Sequence, residues 1–291
     1  MSKLKERKFY NGLHYILDEK AQNVRLCEKF HNDLINNRGQ KFKIGFKKFG
    51  GSSIGEVFET DTYKSKFKAF CFISQLSIPA LQMKYINAGN VMEGKVFEWL
   101  KTKFPKDKYP DIDIQHIEAP KVDYDYFKNK SEFIGGVPDG ILDNNGIKSI
   151  LELKAVGAKK QEWWEKNGNS GVPADYKKQA QLYAYLLGYD TYSIVATYLN
   201  EDDYDNLDNV NLDKQVFKYN FKVNKQMAKD DIDYVQKFWE QIVETGISPQ
   251  YKLPRDLDLV EYLRCHNKEE WKQLFDRWKQ EKKVDDDIIF E

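Results

Sequence analysis

The sequence predicts an α/β protein, a core of strands and helices with helical additions at both ends. Three observations carry this prediction. Residues 90–104 repeat apolar side chains near helical spacing (Val91, Met92, Val96, Phe97, Leu100, Phe104). Two apolar, partly β-branched stretches, 133–137 and 147–156, flank Asp143-Asn144-Asn145-Gly146, and Asn-Gly is a strong hairpin signal. A helical segment at 175–187 leads into a strand at 192–199.

The elements follow in order. Residues 1–40 read as helical, because Leu13, Ile16 and Leu17, then Leu26, Phe30, Leu34 and Ile35, recur near helical spacing. Lys41 to Gly51 is a basic stretch closed by Gly50-Gly51. Ser52 or Ser53 then caps a helix whose apolar face is Ile54, Val57 and Phe58. The helix at 90–104 carries Glu93 at the border of its apolar face. After the two hairpin strands, Gly157 to Gly171 reads as a polar loop with Trp163 and Trp164. Residues 200–208 are acidic and loop-like. A helix at 226–245 buries Ile232, Val235, Phe238, Trp239, Ile242 and Val243, and a charged tail runs from about Leu257 to Asp285-Asp286-Asp287.

Composition narrows the classes. Of the 291 residues, 41% are hydrophobic and 14% aromatic, which supports a sizeable core and excludes intrinsic disorder. Mean hydropathy is −0.72, and no apolar run approaches the ~20 residues of a membrane span. Met1-Ser2-Lys3-Leu4-Lys5 lacks the apolar stretch of a signal peptide. Cys27, Cys71 and Cys265 are too scattered for a disulfide framework. A cytoplasmic, membrane-free protein is expected. Net charge is zero, but residues 41–104 hold 11 lysines against 5 acids (+6), and residues 200–291 hold 15 bases against 22 acids (−7). This asymmetry permits a phosphate-facing surface without requiring one.

The chemistry centres on Pro138-Asp139-Gly140 and Glu152-Leu153-Lys154. Residues two apart in a strand share a face, so Glu152 and Lys154 point together and Leu151 and Leu153 point away. Pairing across the Asn-Gly turn brings Asp139 toward Glu152. Two neighbouring carboxylates repel unless a cation joins them, and Mg²⁺ takes oxygen ligands while keeping waters. Taken singly, Pro-Asp-Gly is an ordinary turn and Glu-x-Lys an ordinary solvated strand face. Together they differ, because Glu152 and Lys154 interrupt the apolar run from Ile150 to Val156, where unpartnered charge is costly.

Pro-Asp, a dozen residues, then Glu-x-Lys resembles the signature of the PD-(D/E)xK nuclease superfamily. More closely, the chain resembles the lambda-type phage exonucleases, the YqaJ-like viral recombinase group. Gly51-Ser52-Ser53-Ile54-Gly55-Glu56-Val57 with Tyr63-Lys64-Ser65, Gly89-Asn90-Val91-Met92-Glu93, Val172-Pro173 with Tyr176 and Gln179-Ala180-Gln181, and Phe238-Trp239 with Val243 and Gly246-Ile247-Ser248-Pro249 resemble further family segments. The resemblance spans roughly 44–250. It implies a restriction-endonuclease-like core, a central mixed sheet flanked by helices. On that basis 1–43 is a helical extension, 44–250 the nuclease domain and 251–291 a charged helical tail.

The resemblance also implies roles. Asp139, Glu152, Glu93 and the Leu153 carbonyl would hold Mg²⁺, with Mn²⁺ as a substitute. Lys154 would be the catalytic lysine, and Gln179 would steady the site. Gln181 lies on another helix face. Tyr183 completes a Gln-xxx-Tyr pattern, for which packing is the expected role. Ser52, Ser53 and Lys64 would contact DNA, with helix capping an equally good account of the serines. Lys159, Lys160, Trp163 and Trp164 could meet bases, although buried indoles are commoner. The histidines lack ligand spacing and read as structural, and three cysteines cannot hold a four-cysteine iron–sulfur cluster. The implied activity is exonucleolytic digestion of double-stranded DNA ends, 5′ to 3′, with an annealing protein as partner and a homotrimer as assembly. The alternatives are an endonuclease of the same fold and a catalytically silent DNA-binding protein.

Overall fold

The computed structural model describes residues 2–40 and 43–290; Met1, Lys41 and Phe42, which open the expected basic stretch, and Glu291 lie outside the described residues. In chain order the elements begin with β1 (Ser2–Lys3), β2 (Tyr15–Asp18), β3 (Asn23–Leu26), α1 (Glu28–Asn36), α2 (Ser53–Val57), α3 (Lys66–Ile73) and α4 (Lys84–Lys103). Next come β4 (Ile112–His116), β5 (Gly140–Asn144), β6 (Ile147–Gly157), α5 (Gln161–Asn167), α6 (Ala174–Leu187) and β7 (Thr191–Leu199). The chain closes with α7 (Leu212–Gln215), β8 (Val216–Lys222), α8 (Lys225–Thr245), α9 (Leu257–Arg264), α10 (Lys268–Gln280) and β9 (Ile288–Ile289). Two compact units result. One gathers 1–49, 53–83 and 234–291, the other 50–52 and 84–233.

In the first unit, residues 1–40 are not the helix expected from Leu13, Ile16 and Leu17. Tyr15 and Leu17 face the core from β2, Val24 and Leu26 face it from β3, and the strands pair antiparallel from Tyr15↔Leu26 to Asp18↔Asn23. The two-residue alternation decides the outcome. The turn is held by Asp18 Oδ1, which accepts from the Lys20 and Ala21 amides at 3.0 and 2.9 Å. Only α1 is helical there, with Phe30 and Leu34 buried. The charged tail likewise has a core: Leu259, Val260 and Leu263 on α9 and Trp271, Leu274, Phe275 and Trp278 on α10 are all buried. Its charges occupy the outer faces of amphipathic helices.

The second unit is a five-stranded mixed sheet in the order β4-β5-β6-β7-β8. All neighbours run antiparallel except β6 and β7, which run parallel. Helices cover both faces of this central pair, so β6 and β7 are apolar on both sides, as buried parallel strands are. Met92, Val96, Phe97 and Leu100 of α4 pack with Leu151, Val195 and Leu199. Ile194, Ala196 and Tyr198 face the other way and pack with Val156, Trp164, Val172 and Tyr219. Each fully buried side chain of this size contributes roughly 1.5–3 kcal/mol. Helix α4 starts earlier than 90, and Val91 and Phe104 stay 42% and 37% exposed, because they lie off the face that meets the sheet. Residues 133–137 form no strand: Gly136 sits at φ +101°, and the strand starts only at Gly140. The expected polar loop 157–171 contains α5, which buries Trp164 while Trp163 remains 64% exposed.

Candidate active site

The hairpin sets the first two groups of the site. Asn145 and Gly146 take φ of +53° and +84°, giving the two-residue turn with left-handed backbone that Asn-Gly favours. The register runs from Asn144↔Ile147 to Gly140↔Leu151, so Asp139 stands one residue before β5, level with Glu152. Gly140 allows a close approach that a side chain would block: a Cβ there would lie 2.6 Å from the Gln115 carbonyl oxygen and just as tight against the Phe97 ring. The Asp139 carboxylate then accepts from the Leu153 amide at 2.6 Å, and its carbonyl accepts from the Ile117 amide at 2.9 Å.

Glu152 and Lys154 share a face of β6. The Lys154 ammonium donates to Glu152 Oε2 at 2.9 Å and lies 3.9 Å from Asp139 Oδ2. Gln179, from α6, donates its amide to the same Glu152 Oε2 at 2.8 Å. Glu152 is fully buried, and its other oxygen, Oε1, has no hydrogen-bond partner among the described residues. Burial pushes the Glu152 carboxyl up to about 8; Lys154 opposes the rise, and Asp139 and Glu93 add to it. Burial also raises Asp139, against Lys154 and with Glu93. Burial works against the Lys154 charge, but Glu152 and Asp139 outweigh it and hold the ammonium above the usual lysine range.

Glu93 arrives from α4. Its Oε1 accepts from His116 Nε2 at 2.8 Å, and the imidazole stacks on Phe97 with centroids 4.3 Å apart. A cavity of about 180 Å³ opens among Glu93, Asp139, Leu153, Lys154 and Thr197. Among the described residues no three His, Cys, Asp or Glu side chains converge into a finished metal cage. The donor set nonetheless fits a hard cation. It is all oxygen, the charges of Asp139 and Glu93 add to the rise at Glu152, and a buried carboxylate oxygen lacks a partner. A cation that retains several waters needs few protein ligands.

The structure brings Asp139, Glu152, Lys154, Gln179, Glu93 and Leu153 into this one neighbourhood. The other predicted contacts belong to other segments of the chain. Ser52 is exposed and belongs to the second unit, whereas Ser53 opens α2 in the first unit at 3% exposure. Lys64, expected to present a cation to DNA, is instead 4% exposed in the first unit. Tyr63-Lys64-Ser65 is a helix start: Ser65 Oγ accepts from the Lys68 amide at 3.1 Å and donates to Asp256 Oδ1 at 2.6 Å. Gln181 accepts from the Asn224 amide at 3.0 Å, away from Glu152. Tyr183 does more than pack. Its hydroxyl accepts from the Gly51 amide at 2.9 Å and donates to the Gly135 carbonyl at 3.2 Å. His116 and Thr197 were not legible as site residues. The alternation Ile112-x-Ile114-x-His116 marks a strand that sets His116, and this is the signal that could have found it.

A mixed sheet flanked by helices that aligns Asp139, Glu152 and Lys154 is a fold of the PD-(D/E)xK type. Residues 42–190 match the YqaJ-like viral recombinase domain, and the chain belongs to that family. The uncharacterized protein MG373 of Mycoplasma genitalium is 26% identical over 247 residues, covering 72% of this chain and 85% of that protein. Crystal structures of LHK-Exo, an alkaline exonuclease from Laribacter hongkongensis, superpose with TM-scores of 0.48 and 0.47 at 15% and 14% identity. They cover 68% and 75% of this chain and 90% and 95% of theirs. No helix among the described residues is long and apolar enough to cross a membrane.

Proposed function

We propose that the protein is a metal-dependent exonuclease that digests double-stranded DNA from its ends, 5′ to 3′, with Mg²⁺ as the cation and Mn²⁺ as a substitute. The observation that carries this reading is Glu152: a buried carboxylate with one oxygen unpartnered, beside Asp139 and bridged by Lys154. Residues 44–250 would form the nuclease domain. Glu93, Asp139, Glu152 and the Leu153 carbonyl would hold the cation, which when bound supplies Lewis-acid activation of water and of the scissile phosphate. Lys154 offsets negative charge developing on the phosphate oxygens. Gln179 fixes the Glu152 carboxylate, and His116 fixes Glu93. The 3′ strands left behind suit an annealing protein, and a homotrimer is the assembly proposed.

Linear duplex labelled at either 5′ or 3′ ends, beside covalently closed circles, tests this. Digestion should need Mg²⁺, stop with EDTA, release 5′ label first and spare the circles. Asp139→Ala and Lys154→Ala should both abolish it. Full activity in either variant refutes the site assignment, and nicked circles would make the enzyme an endonuclease.

A further inference from the structure

The first unit holds a cavity of about 260 Å³ that the nuclease reading does not use. Its lining includes Lys5, Arg7, Lys8 and Lys47, against one acid, Glu6. Arg7 is only 6% exposed, and its guanidinium stacks 3.8 Å over the Tyr262 ring. Its Nε donates to the Phe9 carbonyl at 2.9 Å, and its Nη2 donates to the Tyr15 hydroxyl at 2.8 Å and, at 3.5 Å, to the Cys265 carbonyl. The Tyr15 hydroxyl in turn donates to the Leu263 carbonyl at 2.9 Å. These partners are all neutral. Nη1 is buried and has no partner among the described residues.

A buried guanidinium without a carboxylate is costly, since desolvation is not repaid by an opposite charge. Lys47, at the rim, makes the imbalance larger. Desolvation first, then the charge of Lys5, lower its pKa. The cavity walls also carry Ile44, Ile78 and Pro79, which offer apolar contact to the organic part of a ligand. Its volume sits just below the range of small-molecule pockets, roughly 300–1,000 Å³.

We propose that this cavity is an anion site that binds a small phosphate ester, its phosphoryl group meeting Arg7, Lys5 and Lys47. A lining in which Lys5, Arg7, Lys8 and Lys47 outnumber the one acid, Glu6, suits a dianion better than a single carboxylate, and a guanidinium with a spare N–H suits a phosphoryl oxygen. The N-terminal addition supplies Lys5 and Arg7 to the site, and Lys47 and the apolar wall come from later segments of the first unit, so that addition gains a task separate from the hydrolytic chemistry. The proposal does not depend on the nuclease reading, and either can fail alone.

Isothermal titration calorimetry of the full chain in EDTA decides the matter. The probes are thymidine 5′-monophosphate, thymidine, inorganic phosphate and an oligothymidylate without terminal phosphates. The monophosphate should bind one to one and thymidine should not. Lys47→Glu and Lys5→Glu, both at exposed positions, should each weaken binding by about tenfold or more, while Glu152→Gln should leave it unchanged. Inorganic phosphate binding as tightly as the nucleotide would identify the phosphoryl group as the whole recognition element; weaker binding would assign part of it to the apolar wall. Silence of both small phosphates, binding by the oligomer alone, equal binding of thymidine, or lysine variants that bind as the parent chain does would each overturn the proposal.

Discussion

Replacing Tyr183 by phenylalanine isolates one hydroxyl that ties two glycine segments of the second unit together. The ring would remain, with its 4.7 Å contact to Phe127. What disappears is the acceptor for the Gly51 amide and the donor to the Gly135 carbonyl. The Gly135 side of this link is buried, so its carbonyl would lose a partner that water cannot readily replace. Such an orphaned group costs about 1–3 kcal/mol, and the half-buried Gly51 amide adds a smaller amount, so about 2–3 kcal/mol is expected. At roughly 2–4 °C per kcal/mol for a chain of this size, the midpoint of thermal unfolding should fall by about 4–12 °C. Denaturant titration should show a lower midpoint with an unchanged slope. Gly136 cannot relieve the change, because it lies at φ +101° and faces the same hydroxyl. A loss below about 0.5 kcal/mol would refute the bridge and return Tyr183 to a packing role.

Three further outcomes follow from the site. Gln179→Ala should keep the fold but lower nuclease turnover about 10–100-fold, since it frees Glu152 to rotate; steady-state kinetics on duplex ends should show the loss in kcat rather than KM. His116→Ala should release Glu93 and raise the Mg²⁺ concentration needed for half-maximal activity, with partial rescue by His116→Gln; an unchanged metal requirement refutes the positioning role. Glu152 keeps its proton in the folded chain to about pH 8 but loses it near 4.5 when unfolded. In EDTA, stability should therefore fall as pH rises through that interval, and Glu152→Gln should flatten the slope in urea melts at pH 5 and pH 8.

The hairpin strand β6 was legible because its signals are local. Asn145-Gly146 fixes the turn, two-residue spacing fixes the shared face of Glu152 and Lys154, and apolar neighbours mark the strand as buried. Helix α6 and strand β7 were legible for the same reason. The misread segments are those where tertiary pairing overrides a mixed pattern. Leu13, Ile16 and Leu17 satisfy a helical spacing, yet Tyr15 and Leu17 find Leu26 and Val24 across a hairpin. Phe133 to Val137 has strand composition, but it passes the Tyr183 hydroxyl through a left-handed glycine. Lys64 was expected at DNA from the resemblance alone; its burial depends on distant segments, including Arg255, which donates to its carbonyl at 3.1 Å. His116 escaped notice because its role is to hold another residue.

The parallel pairing of β6 with β7 has a consequence for biosynthesis. A hairpin can close as soon as its second half leaves the ribosome, but a parallel neighbour must wait for the whole intervening crossover. The nascent chain can therefore complete the β5–β6 ribbon with Glu152 already in place while Gln179 and Thr197 have yet to leave the ribosome. Until α6 and β7 arrive, that carboxylate remains hydrated, and the energetic cost of enclosing it falls late, on the docking step that finishes the sheet.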